Sequence, residues 1–347
     1  MKFRITAVVL CAVLLFSSCT LFKEDSNNTA SSGTVTESSA EKSNIPAQGS
    51  EISDESDYQA SENSSSAESE PTSEEPSSPE SSGESSIIQS PLCRSAVLYS
   101  VDEKKIIYDD GADIVTAPAS ITKLLTASVM LNNMNENDIV TVGSEQNLVH
   151  EDSSVCYISV GNRLKVKDLL TGMLLSSGND AAYTAAVCTA RAAHPGEELS
   201  DTQAVSVFCG MMNELAAEIG MSSSHFSTPD GWDEDNQYVT AADLAKLCEY
   251  ALSIPTLRLI VGTFQKSVVF ESGESMTWTN TNKLIDPNSN YYCEYATGMK
   301  TGTTDNAGCC LAASFVKNGK TYVSVVTGCN ASDDRYEMTL KVFDKAK

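Results

Sequence analysis

Hydrophobic and polar residues alternate with two different periods along the chain, and these periods predict where its strands and helices lie. Alternation over 95–100 and over 106–108, on either side of a polar turn, predicts a β-hairpin. Apolar residues then recur with helical period through the middle of the chain. They predict helices over 166–173, 180–193, 200–219 and 241–253.

Strand-like alternation returns in the last third of the chain. The alternating runs lie at 266–270, 276–279, 311–316 and 322–326. The last two runs flank Asn318-Gly319, which is a strong hairpin signal, and 335–346 is predicted as a final helix. A hairpin, a block of helices, several strands and a last helix predict an α+β fold, with an antiparallel sheet flanked by helices and a helical subdomain.

The N-terminus has the composition of an export signal. Two basic residues precede an apolar run over 5–16, which is too short for an ordinary membrane-spanning helix. Small residues then lead to Cys19, as in bacterial lipoprotein signals, although Phe16 stands where leucine is more usual. We therefore expect 1–18 to be a lipoprotein-type signal peptide and Cys19 a lipidated residue anchored in the membrane. An uncleaved signal anchor, or cleavage elsewhere, stays open.

Residues 19–90 are dominated by Ser, Glu, Asn and Pro. This stretch holds fifteen acidic residues, two lysines and almost no aromatic residues. Such a composition cannot bury enough apolar surface to offset the conformational entropy lost on ordering. We predict a disordered acidic tether that holds the following domain away from the membrane, and a spacer of no defined reach is the alternative.

The remaining part, 91–347, is long enough to form a well-buried core. The formal net charge of the chain is −24, which excludes nucleic acid as an expected partner because phosphate contacts need clustered Lys and Arg. Nine of the eleven cysteines fall in this part without the spacing of a disulfide framework, so most are expected to be free, buried thiols. Neither a metal nor a cofactor is expected, since the chain has no Cys-x-x-Cys pair and its histidines show no ligand spacing.

Three short motifs carry the candidate chemistry: Ser120-Ile121-Thr122-Lys123, Ser177-Gly178-Asn179 and Lys300-Thr301-Gly302. The first begins a predicted helix just after Pro118, so that its serine and lysine share one face. The second lies on a connection between two helices, where glycine gives conformational freedom. The third is predicted to start the strand before the last hairpin. Each motif alone is an ordinary helix start, turn or strand edge, and only their joint occurrence indicates catalysis.

A serine hydroxyl needs a base beside it to act as a nucleophile, and no histidine lies near these motifs in the sequence. Lys123 can serve as that base if it is neutral near pH 7. Because a free lysine titrates at about 10.4, this requires a downward pKa shift of about 3 units, or roughly 4 kcal/mol. Burial and a nearby cation could supply the shift, and Lys300 is the candidate cation.

The motifs and their flanks resemble the serine D-alanyl-D-alanine carboxypeptidases, the low-molecular-weight penicillin-binding proteins. The similar stretches are 118–127, 168–182 and 298–308, and the resemblance extends from about Ser95 to the C-terminus. It implies a β-lactamase/DD-peptidase-like fold and an enzyme that removes the terminal D-alanine from peptidoglycan stem pentapeptides. The expected intermediate is an acyl-enzyme on Ser120, and β-lactam antibiotics are expected to form it as covalent inhibitors.

The resemblance also implies how the first two motifs divide the catalytic work. Lys123 would be the base for Ser120. Ser177 would relay a proton between the lysines and the leaving amine, and Asn179 would fix Lys123 and the substrate amide.

The third motif would bind the end of the substrate. The ammonium of Lys300-Thr301-Gly302, with the hydroxyls of Thr301 and Thr303, would hold the terminal carboxylate. Backbone N–H groups of Ser120 and Thr303 would form the oxyanion hole. Many relatives carry a basic residue where Thr281 stands here, so carboxylate binding is expected to depend more on Lys300.

Two alternatives from other classes stay open. A class A β-lactamase shares the first and third motifs, but its second motif is Ser-Asp-Asn and it uses a further glutamate; here Gly178 replaces the aspartate and no Glu-x-x-Leu-Asn segment is found. A non-enzymatic, wall-binding lipoprotein is the other alternative. Since the chain ends at Lys347 in a short predicted helix, we expect its anchor at the N-terminus, on the outer face of the bacterial cytoplasmic membrane.

Overall fold

The computed structural model describes residues 92–346. The predicted signal peptide over 1–18, the predicted lipidation of Cys19 and the predicted tether over 19–90 lie outside the described residues. Among the helices of the described part, none combines the length and the apolar character that crossing a membrane requires.

The predicted strands and helices appear in the predicted order, but the short strands Ile139–Thr141 and Arg163–Lys165 and the helix Pro255–Val261 were not predicted. The strands described are β1 (Ser95–Ser100), β2 (Lys105–Asp110), β3 (Ile139–Thr141), β4 (Arg163–Lys165), β5 (Gln265–Val269), β6 (Ser275–Thr279), β7 (Ala296–Thr304), β8 (Gly308–Lys317) and β9 (Lys320–Cys329). The helices described are α1 (Lys123–Asn133), α2 (Val166–Leu175), α3 (Asn179–Ala193), α4 (Asp201–Glu218), α5 (Ala241–Ser253), α6 (Pro255–Val261) and α7 (Asp334–Phe343). The predicted α+β class is confirmed.

One antiparallel sheet of five strands organises the domain, in the order β2-β1-β9-β8-β7. Helices cover both of its faces, which explains why every residue of β1 is buried. Val97 points into the large core shared with α1 to α6, whereas its neighbour Leu98 packs in a second core with α7. Successive side chains of a strand point to opposite faces, so one strand contributes to both cores.

The strand that carries the third motif begins earlier than the sequence predicts. β7 starts at Ala296, so Lys300-Thr301-Gly302 lies in the middle of the strand rather than at its start. Pairing with β8 runs from Ala296 opposite Phe315 to Thr304 opposite Gly308, with an irregularity near Gly298. The small residues before Lys300 gave no alternating signal, and it is tertiary pairing that makes them a strand.

The hairpin predicted at Asn318-Gly319 is confirmed. Both residues have positive φ, 54° and 75°, in the two-residue turn between β8 and β9. This is the left-handed conformation that Asn and Gly adopt at least cost.

The four predicted central helices are also confirmed, and their first residues have local causes. Ser200 and Gln203 form a capping box at the start of α4, which satisfies two donors that a helix otherwise leaves open. The hydroxyl of Thr240 accepts from the backbone N–H of Asp243 at the start of α5, at 3.2 Å. α3 begins at Asn179 directly after Gly178, so the second motif forms the junction between α2 and α3.

Cysteine pairing follows the expectation with one exception. Cys93 and Cys329 form a disulfide between the start of the domain and the end of β9. The other seven cysteines of the described part are free. A separation of 236 residues along the chain gives no spacing signal for such a pair, which is why the sequence did not reveal it.

Candidate active site

Ser120 lies in a 3₁₀ turn, Ala119–Thr122, that leads directly into α1. Residues three apart eclipse each other in such a turn, and this brings Lys123 beside the serine. Lys123 Nζ donates to Ser120 Oγ at 2.8 Å and to the backbone oxygen of Asp230 at 2.9 Å. Ser120 is partly accessible while Lys123 is fully buried. The arrangement gives a reachable hydroxyl with a desolvated amine behind it.

Burial lowers the pKa of Lys123 to about 8, against the opposing attraction of the Asp230 and Asp180 carboxylates. The direction agrees with the shift that a lysine base requires. The cause agrees only in part with expectation, because desolvation rather than Lys300 accounts for the lowered pKa. Lys300 itself has a pKa well below its usual value, through burial first and then through repulsion by Lys123 and Arg335. Burial thus shifts the pKa of both lysines toward the neutral form, and Lys123, with a pKa of about 8, is still mostly protonated at pH 7.

The second motif differs from its predicted backbone. Gly178 has an ordinary φ of −63°, and it is Ser177 that adopts the left-handed conformation, with φ 63°. A glycine is needed at 178 for space instead: a Cβ there would lie 2.8 Å from Cys156 Sγ and 2.6 Å from Asp180 Oδ1. Strain at a non-glycine residue is typical of functional positions.

Both polar residues of this motif are buried, and Asn179 lines the cleft described below. Ser177 is 8% and Asn179 5% exposed. The backbone N–H of Asn179 donates to Ser154 O at 2.8 Å. Within residues 92–346 the Ser177 hydroxyl makes no direct hydrogen bond, so the structure places it near the junction without joining it to Lys123 or Lys300.

The third motif runs directly past the nucleophile. A Cβ on Gly302 would lie 2.8 Å from Ala119 Cβ and 3.0 Å from Ser120 N, so only glycine permits this approach of strand and turn. Lys300 and Thr301 are buried, whereas Thr303 is exposed toward the cleft. Gly302 therefore sets the distance between the nucleophile and the groups expected to hold the substrate.

Arg335 is a candidate site residue that sequence reasoning missed. It lies in the first turn of α7, and its Nη1 donates to Gly302 O at 3.2 Å and to Thr303 Oγ1 at 3.1 Å. Thr281, at the position where relatives carry a basic residue, instead pairs its hydroxyl with that of Thr301 at 2.6 Å. A cation other than Lys300 thus lies beside the third motif, and it comes from another element. Nothing in the spacing of Arg335 could have indicated this, because 33 residues and two strands separate it from Gly302.

Some of these residues line a small cleft of about 80 Å³. Ser120, Asn179 and Thr303 line it together, and so does Trp232. The ring of His150 stacks on that of Trp232 with centroids 4.1 Å apart. The structure therefore gathers residues of the first two motifs, and the residue that follows the third, at one opening, with an aromatic pair at its edge.

A metal centre finds no support in residues 92–346, where no group of three or more His, Cys, Asp or Glu side chains could hold an ion. What the described site offers is a serine hydroxyl, two amines of lowered pKa, an amide and a guanidinium. That set suits attack on a carbonyl next to a carboxylate.

A family model described as D-alanyl-D-alanine carboxypeptidase matches residues 92–331. The D-alanyl-D-alanine carboxypeptidase DacF of Bacillus subtilis is 28% identical over 256 residues, which cover 73% of this chain and 61% of that protein. A D-alanyl-D-alanine carboxypeptidase of a Streptomyces species is 30% identical over 247 residues, covering 69% of this chain and 81% of that protein. The chain thus spans less than two thirds of the Bacillus relative's length.

Solved structures agree with the fold. The crystal structure of a Streptomyces DD-transpeptidase aligns with a TM-score of 0.66 at 28% identity, covering 73% of this chain and 96% of that one. The five-stranded antiparallel sheet flanked by helices is therefore of the β-lactamase/DD-peptidase type, as the resemblance implied.

Proposed function

Because the chain belongs to the D-alanyl-D-alanine carboxypeptidase family, peptidase S11, we propose that it removes the terminal D-alanine from peptidoglycan stem pentapeptides as a serine carboxypeptidase. The observation that carries the proposal is the contact of 2.8 Å between Ser120 Oγ and Lys123 Nζ. The contact lies next to strand β7. Lys300 of that strand and Arg335 of α7 suit the binding of a carboxylate.

The first half of the reaction uses the buried amine. Neutral Lys123 takes the proton of Ser120, whose oxygen attacks the carbonyl carbon of the penultimate D-alanine. The backbone N–H groups of Ser120 and Thr303 stabilise the oxyanion, and such donors are typically worth about 2.7 to 4 kcal/mol each. Ser177 passes the proton to the nitrogen of the departing D-alanine, while Asn179 orients Lys123 and the substrate amide. An ester on Ser120 results. Its hydrolysis by water frees the shortened peptide and restores Ser120.

Substrate orientation depends on charge. Arg335 lies beside Thr303, and a carboxylate bound there would gain charge-assisted hydrogen bonds from the guanidinium and would favour the protonated form of Lys300. Thr301 and Thr303 add hydroxyl donors. A β-lactam carries a carboxylate and an acylating carbonyl in the same relation, so it should acylate Ser120 and inhibit the enzyme.

The test compares Ser120→Ala with Ser314→Ala. Ser314 belongs to the other Ser-x-x-Lys pattern of the domain, and it is fully buried in β8. Release of D-alanine from a pentapeptide and covalent labelling by a fluorescent penicillin should both vanish in Ser120→Ala. Labelling that persists there and is lost in Ser314→Ala would refute the assignment.

A β-lactamase is the competing function, and a non-enzymatic wall-binding lipoprotein is the other. Measured side by side, D-alanine release without nitrocefin turnover supports the carboxypeptidase, fast nitrocefin turnover supports a β-lactamase, and neither activity supports the binding protein. The glycine at 178 favours the carboxypeptidase, because class A β-lactamases use aspartate there.

The site of action follows from the proposed substrate, which lies outside the cytoplasmic membrane. Lipidation of Cys19 would anchor the enzyme to the outer face of that membrane, and the acidic residues that follow would let it reach the wall. Cys19→Ala should release an active, soluble enzyme or leave an unprocessed precursor, with unchanged activity on a soluble peptide. A processed Cys19→Ala protein that still sediments with membranes would show that the anchor lies elsewhere.

A further inference from the structure

Asp230 lies against the base of the site, and half of its carboxylate is without a hydrogen-bond partner. The residue is 1% exposed, and its backbone oxygen accepts the hydrogen bond of 2.9 Å from Lys123 Nζ. Oδ1 accepts from the backbone N–H of Trp232 at 3.1 Å. Oδ2 is buried and has no partner in residues 92–346. Burying a carboxylate oxygen in this way costs free energy, and a group of this kind is typical of a functional site.

The loop that carries Asp230 is fixed against the start of α1 on both sides of this residue. Thr126 Oγ1 donates to the backbone oxygen of Pro229. A Cβ on Gly231 would lie 1.8 Å from Ala119 O, so only glycine, here with φ 86°, permits this contact. Asp230 lies between these two contacts. Its distance from the amine is therefore set by packing.

Asp180 is the other carboxylate that acts on Lys123, but its charge is shared among backbone donors. Its oxygens accept from the backbone N–H groups of Cys156 at 2.9 and 3.1 Å, Ile158 at 3.2 Å and Ala181 at 2.9 Å. These bonds hold the start of α3 against the segment that precedes the second motif. Asp230 Oδ2 has no such donor, so its charge remains available to the amine.

The two buried amines of the site differ in the charges that face them. Burial lowers the pKa of Lys123 only to about 8, because the carboxylates of Asp230 and Asp180 oppose it. Burial also lowers the pKa of Lys300 well below its usual value, and the cations Lys123 and Arg335 lower it further. Neighbouring charges thus oppose the effect of burial at Lys123 and add to it at Lys300. The amine that serves as the base is the one beside carboxylates.

The other titratable groups around this pair stay neutral near pH 8. The thiol of Cys156 also faces Lys123, and burial raises its pKa well above the usual value. Tyr183 and Cys209 face Asp230; burial raises the pKa of both, that of Cys209 to about 12. A titration between pH 6 and 9 therefore reports on Lys123.

We propose that Asp230 is a positioning residue of the reaction, whose carboxylate stabilises the ammonium that forms when Lys123 takes the proton of Ser120. The proton moves from Ser120 Oγ to Lys123 Nζ as the bond from Oγ to the carbonyl carbon forms, and it passes to the leaving nitrogen as the C–N bond breaks. Since Nζ bonds to the backbone oxygen of Asp230, the carboxylate acts through its charge, which is strong where water is excluded. The inference rests on the proposed function, because it uses the same acylation step.

Asp230→Asn is the test variant, since it removes the charge and keeps the shape. The rate of acylation by a fluorescent penicillin is measured with the full chain between pH 6 and 9. Without the carboxylate the pKa of Lys123 falls, so the pH of half-maximal acylation should move down by about 1 unit from about 8. A base of lower pKa is also weaker, so the limiting rate should fall about 2- to 5-fold. The variant should therefore be slower than the wild type at pH 9 and faster at pH 6.

Asp233→Asn is the matched control, because Asp233 lies in the same loop. Its carboxylate accepts from Thr304 Oγ1 at 2.7 Å and from the backbone N–H of Asn306 at 2.9 Å, and it is not among the groups that shift the pKa of Lys123. Asp233→Asn should leave the pH of half-maximal acylation unchanged. Asp230→Glu keeps the charge and should shift that pH less than Asp230→Asn does. If Asp230→Asn fails to fold, Asp230→Ser removes the same charge with a smaller side chain.

The outcomes separate this inference from the proposed function. An unchanged pH of half-maximal acylation in Asp230→Asn overturns the inference and leaves Ser120 and Lys123 as nucleophile and base. An equal downward shift in Asp233→Asn also overturns it, because the position of the loop would then be the cause. A wild type that neither releases D-alanine nor is labelled by penicillin overturns the proposed function itself.

Discussion

The two sides of strand β7 are built differently. On the acyl side, formed by the Ser120 turn and Ser177-Gly178-Asn179, the polar groups behind Ser120 are buried, and Lys123 contacts Ser120 directly. On the leaving side, formed by Thr281 and Arg335, they are more exposed and come from segments distant in sequence. Bond-making needs a desolvated amine and fixed geometry, whereas a leaving group must be admitted and released. The comparison indicates that the acyl side carries out the chemical step and that the leaving side determines which substrates are accepted.

The largest effect should come from the acyl side. Lys123→Ala should lower the rate of acylation about 10²- to 10⁴-fold for every substrate, penicillin included, because general-base assistance is worth that much. Stopped-flow labelling with a fluorescent penicillin measures it, and thermal unfolding checks that the variant is folded. A variant that still acylates penicillin at the wild-type rate would show that another group is the base.

The pH dependence of the acylation rate tests the same assignment of Lys123 as the base. A lysine base acts in its neutral form, and its pKa is lowered to about 8. Acylation by the wild type should therefore rise with pH and reach half its limit near pH 8. A rate that is flat between pH 6 and 9 would contradict this role of Lys123.

The acyl side could be predicted because its contacts are local. Ser120 and Lys123 are three residues apart, and helical geometry alone brings them together. Gly302 could be placed by its motif, although its reason, the close approach to Ala119, needed the fold. The left-handed φ of Ser177 could not be predicted, because the adjacent Gly178 is the residue type that usually adopts that conformation.

The leaving side could not be predicted because its contacts join separate elements. Arg335 was assigned correctly to the last helix, but its bonds to Gly302 and Thr303 depend on how α7 packs on the sheet. The disulfide of Cys93 with Cys329 escaped prediction for the same reason. Hydrophobic period predicts elements well, while a charge or thiol on the surface of an element carries no signal about its partner.

The next largest effect should come from Arg335. Arg335→Ala should lower kcat/KM about 10- to 150-fold on peptides with a free terminal carboxylate, the range for a hydrogen bond to a charged group. The loss should be much smaller on the same peptides capped as amides. Arg335→Lys should restore only part of the activity, because lysine cannot reproduce the planar fork of donors. Equal losses on free and capped peptides would assign Arg335 a structural role only.

A smaller effect, on stability, tests how tightly the acyl side is packed. Gly178→Ala should destabilise the fold by about 1 to 3 kcal/mol, since its Cβ would overlap Cys156 and Asp180. Gly210→Ala is the control: no atom lies within 4 Å of a Cβ there, in the interior of α4, so it should stabilise by about 0.5 to 1 kcal/mol. Denaturant unfolding measures both. Similar changes in the free energy of unfolding for the two variants would mean that a methyl group fits at position 178 without strain.

The smallest effect concerns two hydroxyl pairs on the same strand. Thr281 and Thr301 pair at 2.6 Å beside the site, and Thr297 and Ser314 pair at 2.7 Å away from it. Each pair contributes about 0.5 to 1.5 kcal/mol as an ordinary hydrogen bond. Thr281→Val and Thr297→Val should therefore lower stability by similar amounts, because each leaves one hydroxyl without its partner.

Only Thr281→Val should also change catalysis. Thr301 is one of the groups expected to hold the carboxylate, and without Thr281 its hydroxyl is no longer fixed in direction. KM for a pentapeptide with a free carboxylate should rise about 2- to 10-fold, with little change in the rate of acylation by penicillin at saturation. Thr297→Val should leave KM unchanged. If both variants raised KM equally, the effect would come from β7 as a whole, and the leaving side would lose its separate role in substrate choice.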